Sequence, residues 1–180
     1  MNQGCCVDLP APDDHNIGLR DKAEFGLLLI EQPLAPDDLV GHARVADAVV
    51  TPVCLDEPIV SVPSLAAAVE LGACEVVNLK PGRVGGYLAA VAMHDWCHER
   101  SLPVWCGGMV ETGLARAANV VLAGLPGFTM PGDLSGSDRF FPDDVVIDPI
   151  RVHGGCIDVP REPGIGATID PDALARFRTG

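Results

Sequence analysis

The chain has 180 residues, of which 48% are hydrophobic and 21% charged, and its formal net charge is -13. This composition favours a globular fold over disorder, and the acidic excess argues against a nucleic-acid partner, which needs clustered lysine and arginine. No apolar run reaches the roughly 18 residues that cross a membrane, and no basic stretch leads into an apolar one near the N-terminus. We therefore expect a cytoplasmic protein with no membrane partner.

The predicted elements alternate between apolar strands and helices. Residues 1–24 show no usable periodicity and are interpreted as a poorly ordered lead-in. Beyond them, apolar runs that end at Pro or Gly alternate with helix-like stretches, which is typical of parallel βαβ units. The predicted strands are 25–30, 49–55, 75–79, 103–106 and 128–131, and the clearest helices are 64–71, 85–100 and 111–125.

The spacing of these units indicates the fold class. Strand ends fall about 25 residues apart, and no G-x-G-x-x-G motif follows any of them. Five such units in series favour part of a (β/α) TIM-type barrel over a Rossmann sheet, since a complete barrel needs about 250 residues. We predict an α/β fold with a partial barrel over residues 25–140. Residues 141–180 change to short alternating strands and a final helix, and we predict a C-terminal extension there.

Charged residues stand where three predicted strands end. Glu31 ends the first strand, Asp56 and Glu57 follow the second, and Lys80 follows the third. Because the active site of a (β/α) barrel lies at the C-terminal ends of its strands, we expect these side chains to converge. Two carboxylates there suit a hard cation such as Mg²⁺ or Mn²⁺, with the lysine beside it as a base. One polar residue at a strand end usually only faces water, but three in register favour a functional site.

Several motifs in order resemble a known family. FGLLLIEQPL (25–34), CLDEP (54–58), NLKPGRVGG (78–86) and WCGGMVETGL (105–114) are followed by PGDLS (131–135). Together they resemble the o-succinylbenzoate synthase/N-acylamino-acid racemase group of the enolase superfamily, from about residue 24 to the C-terminus. The resemblance implies the C-terminal portion of a mandelate racemase/muconate lactonizing enzyme-like barrel, truncated at its N-terminus. It also implies that the segment after 141 returns toward a missing capping domain.

The resemblance implies a role for each strand-end residue. Glu31 and Asp56 match two ligands of the family's Mg²⁺, and Glu57 matches an acid that supports the site by hydrogen bonding. Lys80 matches one of two catalytic lysines that flank the substrate's α-carbon. The implied substrate-pocket residues are those of the loop after the fourth strand, Gly107, Gly108, Met109 and Glu111.

The implied reaction abstracts a proton α to a carboxylate and holds the enediolate on the metal, which offsets its charge. Synthases, which are lyases of menaquinone biosynthesis, then lose water. Racemases, which are isomerases, return the proton from the opposite face. The same metal and lysines serve both reactions, so the two remain open, and the implied substrate is a small carboxylate.

The sequence also departs from the family pattern. Its only lysines are Lys22 and Lys80, so the family's Lys-x-Lys pair is absent. The first metal ligand is expected about one βα unit before Glu31, where Asp8 is a weak candidate. We therefore expect little or no catalysis from the chain alone, and self-association or assembly with a complementing N-terminal half. The alternative is a catalytically dead remnant that acts as a binding or assembly module.

Weaker signals have plainer interpretations. His94 and His98 have the spacing of a helical zinc pair, but the central Glu and a third ligand are missing, so we interpret them as a solvated helix face. Glycines 82, 85 and 86 are interpreted as a tight loop rather than a phosphate cradle. The seven cysteines, with no secretion signal, are interpreted mostly as reduced core thiols.

Overall fold

The computed structural model describes residues 25–161 and 163–178, so the predicted lead-in lies outside the described residues. Strands and helices alternate along most of this range, and in the described ranges no helix is long and apolar enough to span a bilayer. The elements are β1 (Ile30–Glu31), α1 (Leu39–Ala48), β2 (Val53–Leu55), α2 (Val62–Glu70), β3 (Val76–Leu79), α3 (Pro81–Val84), α4 (Tyr87–Glu99), β4 (Val104–Cys106), α5 (Gly113–Ala123) and α6 (Pro171–Phe177), with a 3₁₀ turn at Ser137–Arg139.

The strands form one sheet in the order β1-β2-β3-β4, and β1, β2 and β3 pair in parallel. Glu31 is in register with Cys54, and Leu55 with Val77. Every residue of β2 and β3 is buried, as expected for strands covered on both faces. The spatial order equals the chain order, with helices between successive strands, which is the predicted βαβ plan. The predicted α/β class is therefore confirmed.

The chain divides into two compact units, one ending at Val104 and one beginning at Trp105. In the first unit the core includes fully buried Leu55, Leu65 and Leu79, and in the second it includes Ala117 and Val120. All residues of the strand-end site predicted for metal and catalysis belong to the first unit. The predicted boundary between residues 140 and 141 stays a prediction.

Local sequence explains where the helices begin. Ser61 precedes α2, and its hydroxyl accepts a hydrogen bond from the Ser64 amide at 3.2 Å, while the Ser64 hydroxyl accepts one from the Ser61 amide at 3.0 Å. This reciprocal cap satisfies two amides that lack helical partners. Between α3 and α4, Gly85 and Gly86 have φ values of 92° and 108°, which glycine adopts without strain. Gly85 and Gly86 thus form the tight turn that we expected, whereas Gly82 lies within α3 and not in a loop.

Some sequence-based expectations are wrong. The predicted strand 128–131 is not formed, and Asp133 instead makes an isolated parallel bridge with Gly107. Pro131 has no amide hydrogen to donate, which disfavours a regular ladder at that point. The alternating stretch 145–159 forms isolated antiparallel bridges rather than strands. His94 is 3% exposed rather than solvated, and its ring stacks on that of His98.

Candidate active site

The predicted strand-end residues Glu31, Asp56 and Lys80 lie on the same side of the sheet. Glu31 ends β1 in register with Cys54 of β2. Side chains alternate along a strand, so Asp56, two residues beyond Cys54, points to the side of Glu31. The Lys80 ammonium contacts the Asp56 carboxylate directly. The structure therefore brings Asp56 and Lys80 into contact, on the side of the sheet to which Glu31 points.

Asp56 is a buried carboxylate shared by two cations. Its side chain is 6% exposed, and Oδ2 lies 2.8 Å from Nζ of Lys80. Oδ1 accepts a hydrogen bond from Nη1 of Arg83, which lies in α3. Charge-assisted hydrogen bonds strengthen where water is largely excluded. Asp56 is thus the electrostatic centre of the site.

Glu31 is held by an asparagine that extends the site along β3. Nδ2 of Asn78 donates to Oε1 of Glu31 at 2.6 Å. Asn78 is 1% exposed, and within the described part of the chain no hydrogen-bond partner reaches its Oδ1. A buried polar atom without a partner is unfavourable, so a bound group that donates to it would be stabilised. The polar site therefore includes an acceptor that is unused among these residues.

The donor chemistry fits a hard cation, but the described residues do not complete a metal site. Glu31 and Asp56 supply carboxylate oxygens, the ligands that Mg²⁺ prefers. Over residues 25–161 and 163–178, no group of three or more His, Cys, Asp or Glu side chains is close enough to hold a metal ion. Both oxygens of Asp56 also bond Lys80 or Arg83, so a cation would have to compete with them. Asp8, the weak candidate for another ligand, lies outside the described residues.

Glu57, the predicted supporting acid, is exposed. Its negative charge acts on the ring of His42 in α1, where it favours protonation. The predicted support of the metal ligands by Glu57 stays a prediction.

The predicted substrate-pocket residues belong to the second unit. Gly108 and Met109 line a cavity of about 160 Å³ together with Ser135 and Phe140. The Gly108 amide donates to the Asp133 carbonyl at 3.1 Å, and a Cβ at Gly108 would lie only 2.5 Å from that oxygen. This close approach of two backbone segments requires glycine.

Glu111 does not line that cavity but is tied to α5. Its Oε2 accepts from Nδ2 of Asn119 at 2.8 Å, and its carbonyl accepts from Nη2 of Arg116 at 2.8 Å. Nη1 of Arg116 donates to the Ser135 carbonyl at 2.8 Å. Arg116, which is fully buried, thereby joins the loop after β4 to the loop around Ser135. Its effect is to hold the loop that carries the predicted pocket residues against the loop around Ser135.

Buried thiols contribute no chemistry to this site. Burial raises the pKa of Cys74 and of Cys106 to about 12, so both stay protonated near neutral pH. The thiolate is the reactive and metal-binding form. Cys54 and Cys97 are buried too, as expected for core thiols, whereas Cys156 is exposed.

Sequence reasoning missed Asn78 and Arg83. Asn78 stands two residues before Lys80 and therefore points to the same side of β3, a signal available from strand alternation. Arg83 stands three residues after Lys80, and its contact with Asp56 depends on the turn into α3. A single helical turn of four residues gives little sequence signal, so that contact was not predictable from the pattern.

The fold and the site together define a parallel α/β unit with an acid–lysine cluster at its strand ends. Comparison with known protein families shows the family to which the chain belongs. The model described as enolase C-terminal domain-like matches residues 14–173, and the chain belongs to this family of the enolase superfamily. The predicted resemblance is thereby confirmed.

Two curated relatives are similar over most of this chain. It is 56% identical over 155 residues to the N-succinylamino acid racemase of an Amycolatopsis species, covering 86% of this chain and 42% of that protein. It is 45% identical over 161 residues to the o-succinylbenzoate synthase of Bacillus subtilis, covering 89% of this chain and 43% of that protein. The chain therefore spans less than half the length of these relatives.

Solved structures confirm the fold. An enolase-superfamily protein from Listeria innocua is 37% identical, with a TM-score of 0.90 over 94% of this chain and 46% of its own. The 2-chloromuconate cycloisomerase of Rhodococcus opacus has a TM-score of 0.84 at 24% identity, which shows the fold alone. The sheet is thus the C-terminal portion of a (β/α) barrel, as predicted.

Proposed function

We propose that the chain supplies the strand-end half of an active site that removes a proton α to a substrate carboxylate, as an o-succinylbenzoate synthase, an N-acylamino-acid racemase or both. The observation that supports this most directly is the contact of Lys80 with Asp56 on the side of the sheet where Glu31 points. A lysine beside two carboxylates at the ends of barrel strands suits proton transfer. The names of the two relatives support the choice of these reactions.

Lys80 is the proposed proton-transfer residue. Its Nζ is directed to Asp56 by the 2.8 Å ion pair, and its side chain is only 15% exposed. Arg83 contacts the other oxygen of the same carboxylate. Asp56 can therefore keep one cationic partner if Lys80 turns toward a substrate.

Mg²⁺, or alternatively Mn²⁺, is the proposed cofactor, with Glu31 and Asp56 as two of its ligands and Glu57 in support. A bound divalent cation would offset the negative charge that develops on the substrate's carboxylate oxygens. Further protein ligands would come from outside the described residues. Gly108, Met109 and Glu111 are proposed to border the small carboxylate substrate.

We expect the 180-residue chain alone to show little turnover. Racemisation needs a base on each face of the α-carbon, and the sequence offers no Lys-x-Lys pair to accompany Lys80. Self-association, or assembly with a polypeptide that completes the barrel, is the corresponding proposal for its partners. A cytoplasmic location and the absence of nucleic-acid or membrane partners remain part of the proposal.

A chimera tests the function of these residues in a full-length background. In it, this chain replaces the matching segment of the Amycolatopsis racemase. We expect Mg²⁺-dependent exchange of the α-proton of an N-succinyl amino acid in deuterated water, followed by NMR. Formation of o-succinylbenzoate is measured in parallel and shows whether the chimera catalyses the synthase reaction, the racemase reaction or both.

Two substitutions at one position test the role of Lys80. Lys80→Arg keeps a positive charge for Asp56 but cannot serve as a base, whereas Lys80→Met removes both properties. We expect both chimeras to lose exchange by about 10² to 10⁴-fold for the substrate enantiomer whose α-proton faces Lys80, and only Lys80→Met to lose the ion pair. Full exchange of both enantiomers in Lys80→Arg would overturn the assignment. No exchange in the parent chimera, with its fold intact, would favour the alternative of a catalytically dead binding or assembly module.

A further inference from the structure

His42 in α1 is fully buried and has a defined tautomer. Its Nδ1 lies 2.7 Å from the carbonyl oxygen of Asp38, which can only accept, so Nδ1 carries the proton. Its Nε2 lies 3.3 Å from the amide nitrogen of Leu34, which can only donate, so Nε2 is the acceptor. The two contacts agree on one neutral form of the ring.

The side chain of Gln32 continues this network toward the candidate active site. Nε2 of Gln32 lies 3.1 Å from the Leu34 carbonyl and 3.2 Å from Nε2 of His42, so the amide group donates to both. The opposite end is then fixed as an acceptor, and Oε1 receives the amide hydrogen of Asp56 at 3.0 Å. If the amide were flipped, its oxygen would face two acceptors and its NH₂ would face the Asp56 amide.

The backbone of Gln32 is held in an unusual conformation. Its φ is 41°, in the left-handed region that residues other than glycine seldom occupy. Its amide donates to the Cys54 carbonyl at 2.9 Å. Gln32 directly follows Glu31, the last residue of β1. Its main-chain amide bonds Cys54 in β2 and its side chain bonds Asp56 just after β2, so Gln32 links the ends of the two strands. Such conformations persist only where surrounding contacts hold them.

We propose that His42 is a positioning residue that, as its Nδ1-protonated tautomer, holds Gln32 in the conformation that fixes the main chain at Asp56 beside Glu31. His42 does not touch the reacting groups and acts only through Gln32. The proposed effect of His42 on the main chain at Asp56 is argued only from the hydrogen bonds described above. The further effect of this positioning on cation binding rests on the proposed function.

Protonation of His42 would break this arrangement. A proton on Nε2 would face the Leu34 amide and the Gln32 NH₂ group, which are both donors. Two acidic groups act on the ring, Asp38 at the start of its own helix and Glu57 after β2, and both favour the protonated form. Burial opposes them and is the largest influence, so the pKa of His42 is lowered from its usual 6.5. The network is therefore expected to be intact at neutral pH and to open on acidification.

The test uses the complete 180-residue chain and two substitutions. His42→Gln offers an amide oxygen near the place of Nε2 but does not titrate, whereas His42→Leu removes the acceptor and keeps an apolar side chain. His94→Gln is the matched control, since His94 is another buried histidine of the same unit. Hydrogen exchange at the Asp56 amide, expressed as a protection factor by NMR, reports the bond to Gln32 between pH 8 and pH 5.

We expect His42→Leu to lower the Asp56 protection factor about tenfold at pH 8, the effect of losing one buried hydrogen bond. His42→Gln and His94→Gln should stay within about twofold of the parent chain. The parent should lose protection on acidification, and His42→Gln should not. If His42→Leu does not fold, the acid series on the parent and on His42→Gln decides. Unchanged protection in a folded His42→Leu, or equal acid loss in His42→Gln, would overturn the proposal.

Binding of Mn²⁺ to the chimera with the Amycolatopsis racemase, followed by electron paramagnetic resonance at pH 8, separates this proposal from the proposed function. If His42→Leu weakens binding to the chimera several-fold and His42→Gln does not, positioning of Asp56 extends to the cation. If the parent chimera binds no Mn²⁺ while the protection factors of the 180-residue chain change as expected, the metal assignment fails and the positioning role of His42 stands.

Discussion

The two compact units both bury a charged group, but they satisfy it with different partners. In the first unit the Asp56 carboxylate is paired with the side chains of Lys80 and Arg83. In the second, the Arg116 guanidinium donates to the carbonyl groups of Glu111 and Ser135 and to the Ser135 hydroxyl. One charge is matched by charged side chains, the other mainly by main-chain carbonyl groups.

This difference indicates where chemistry can occur. Ion-paired side chains can exchange a partner for a ligand by changing rotamer, so the Asp56 cluster can rearrange when something binds. Main-chain acceptors cannot leave without moving the loops to which they belong. Arg116 is therefore expected to matter for stability and Asp56 for ligand binding, and substitutions can separate these two roles.

The largest effect is expected for Arg116→Met. Methionine roughly keeps the volume but removes three hydrogen bonds, and it leaves two carbonyl groups without this donor. We expect a loss of about 3 kcal/mol or more in the free energy of unfolding. Urea denaturation followed by circular dichroism measures it. Arg151→Met is the control, since that arginine is 57% exposed and pairs with an exposed Asp138, and a surface pair contributes about 0–1 kcal/mol.

Asp56→Asn should have a smaller effect on stability and a larger one on ligands. It places Lys80 and Arg83 beside a neutral amide, and we expect a loss of about 1–3 kcal/mol in the free energy of unfolding. If Asp56 is a metal ligand, the Mn²⁺ affinity of the chimera with the Amycolatopsis racemase should fall by at least about tenfold. Asp95→Asn, which changes a carboxylate that is 61% exposed, should change neither quantity appreciably. Unaltered Mn²⁺ affinity in Asp56→Asn would contradict the assignment of ligand binding to Asp56.

The pH dependence of the free energy of unfolding should reveal a contribution from His42 in the first unit. This contribution is expected to be smaller than the effects of the two preceding substitutions. Since the pKa of His42 is lowered in the folded chain, mainly by burial, protons bind the unfolded chain more tightly. The contribution of His42 is complete above about pH 6.5, its unfolded value, and is lost as the pH falls toward the folded pKa. Urea midpoints should therefore decrease between pH 7.5 and pH 5, and His42→Gln should decrease less. Parallel midpoints in the two proteins would exclude this contribution.

The smallest effects are expected at helix caps, and they compare the units directly. Ser61→Ala removes the acceptor for the Ser64 amide in the first unit, and Asp170→Ala removes the acceptor for the amides of Asp172 and Ala173 in the second. Each should cost about 1 kcal/mol in the free energy of unfolding. Asp170→Ala is expected to cost more, because two amides lose their acceptor, whereas the Ser64 hydroxyl still accepts from the amide of residue 61 in Ser61→Ala. Equal or reversed losses, measured by denaturation, would contradict that ordering.

Much of the fold and part of the site could be predicted from sequence for a physical reason. Strand ends in a parallel sheet share one edge, so Glu31, Asp56 and Lys80 could be placed together from spacing alone. Side-chain contacts across a turn could not, as the pairing of Arg83 with Asp56 illustrates. The predicted strand at 128–131 failed because an apolar run gives the same signal whether or not its ladder forms.

Gly108 bears on any attempt to redesign this chain. Its α-carbon lies against the Asp133 carbonyl so closely that even a methyl group would overlap it. A randomised library that varies this loop, which is proposed to border the substrate, should therefore leave position 108 unvaried and vary Met109, which is 46% exposed.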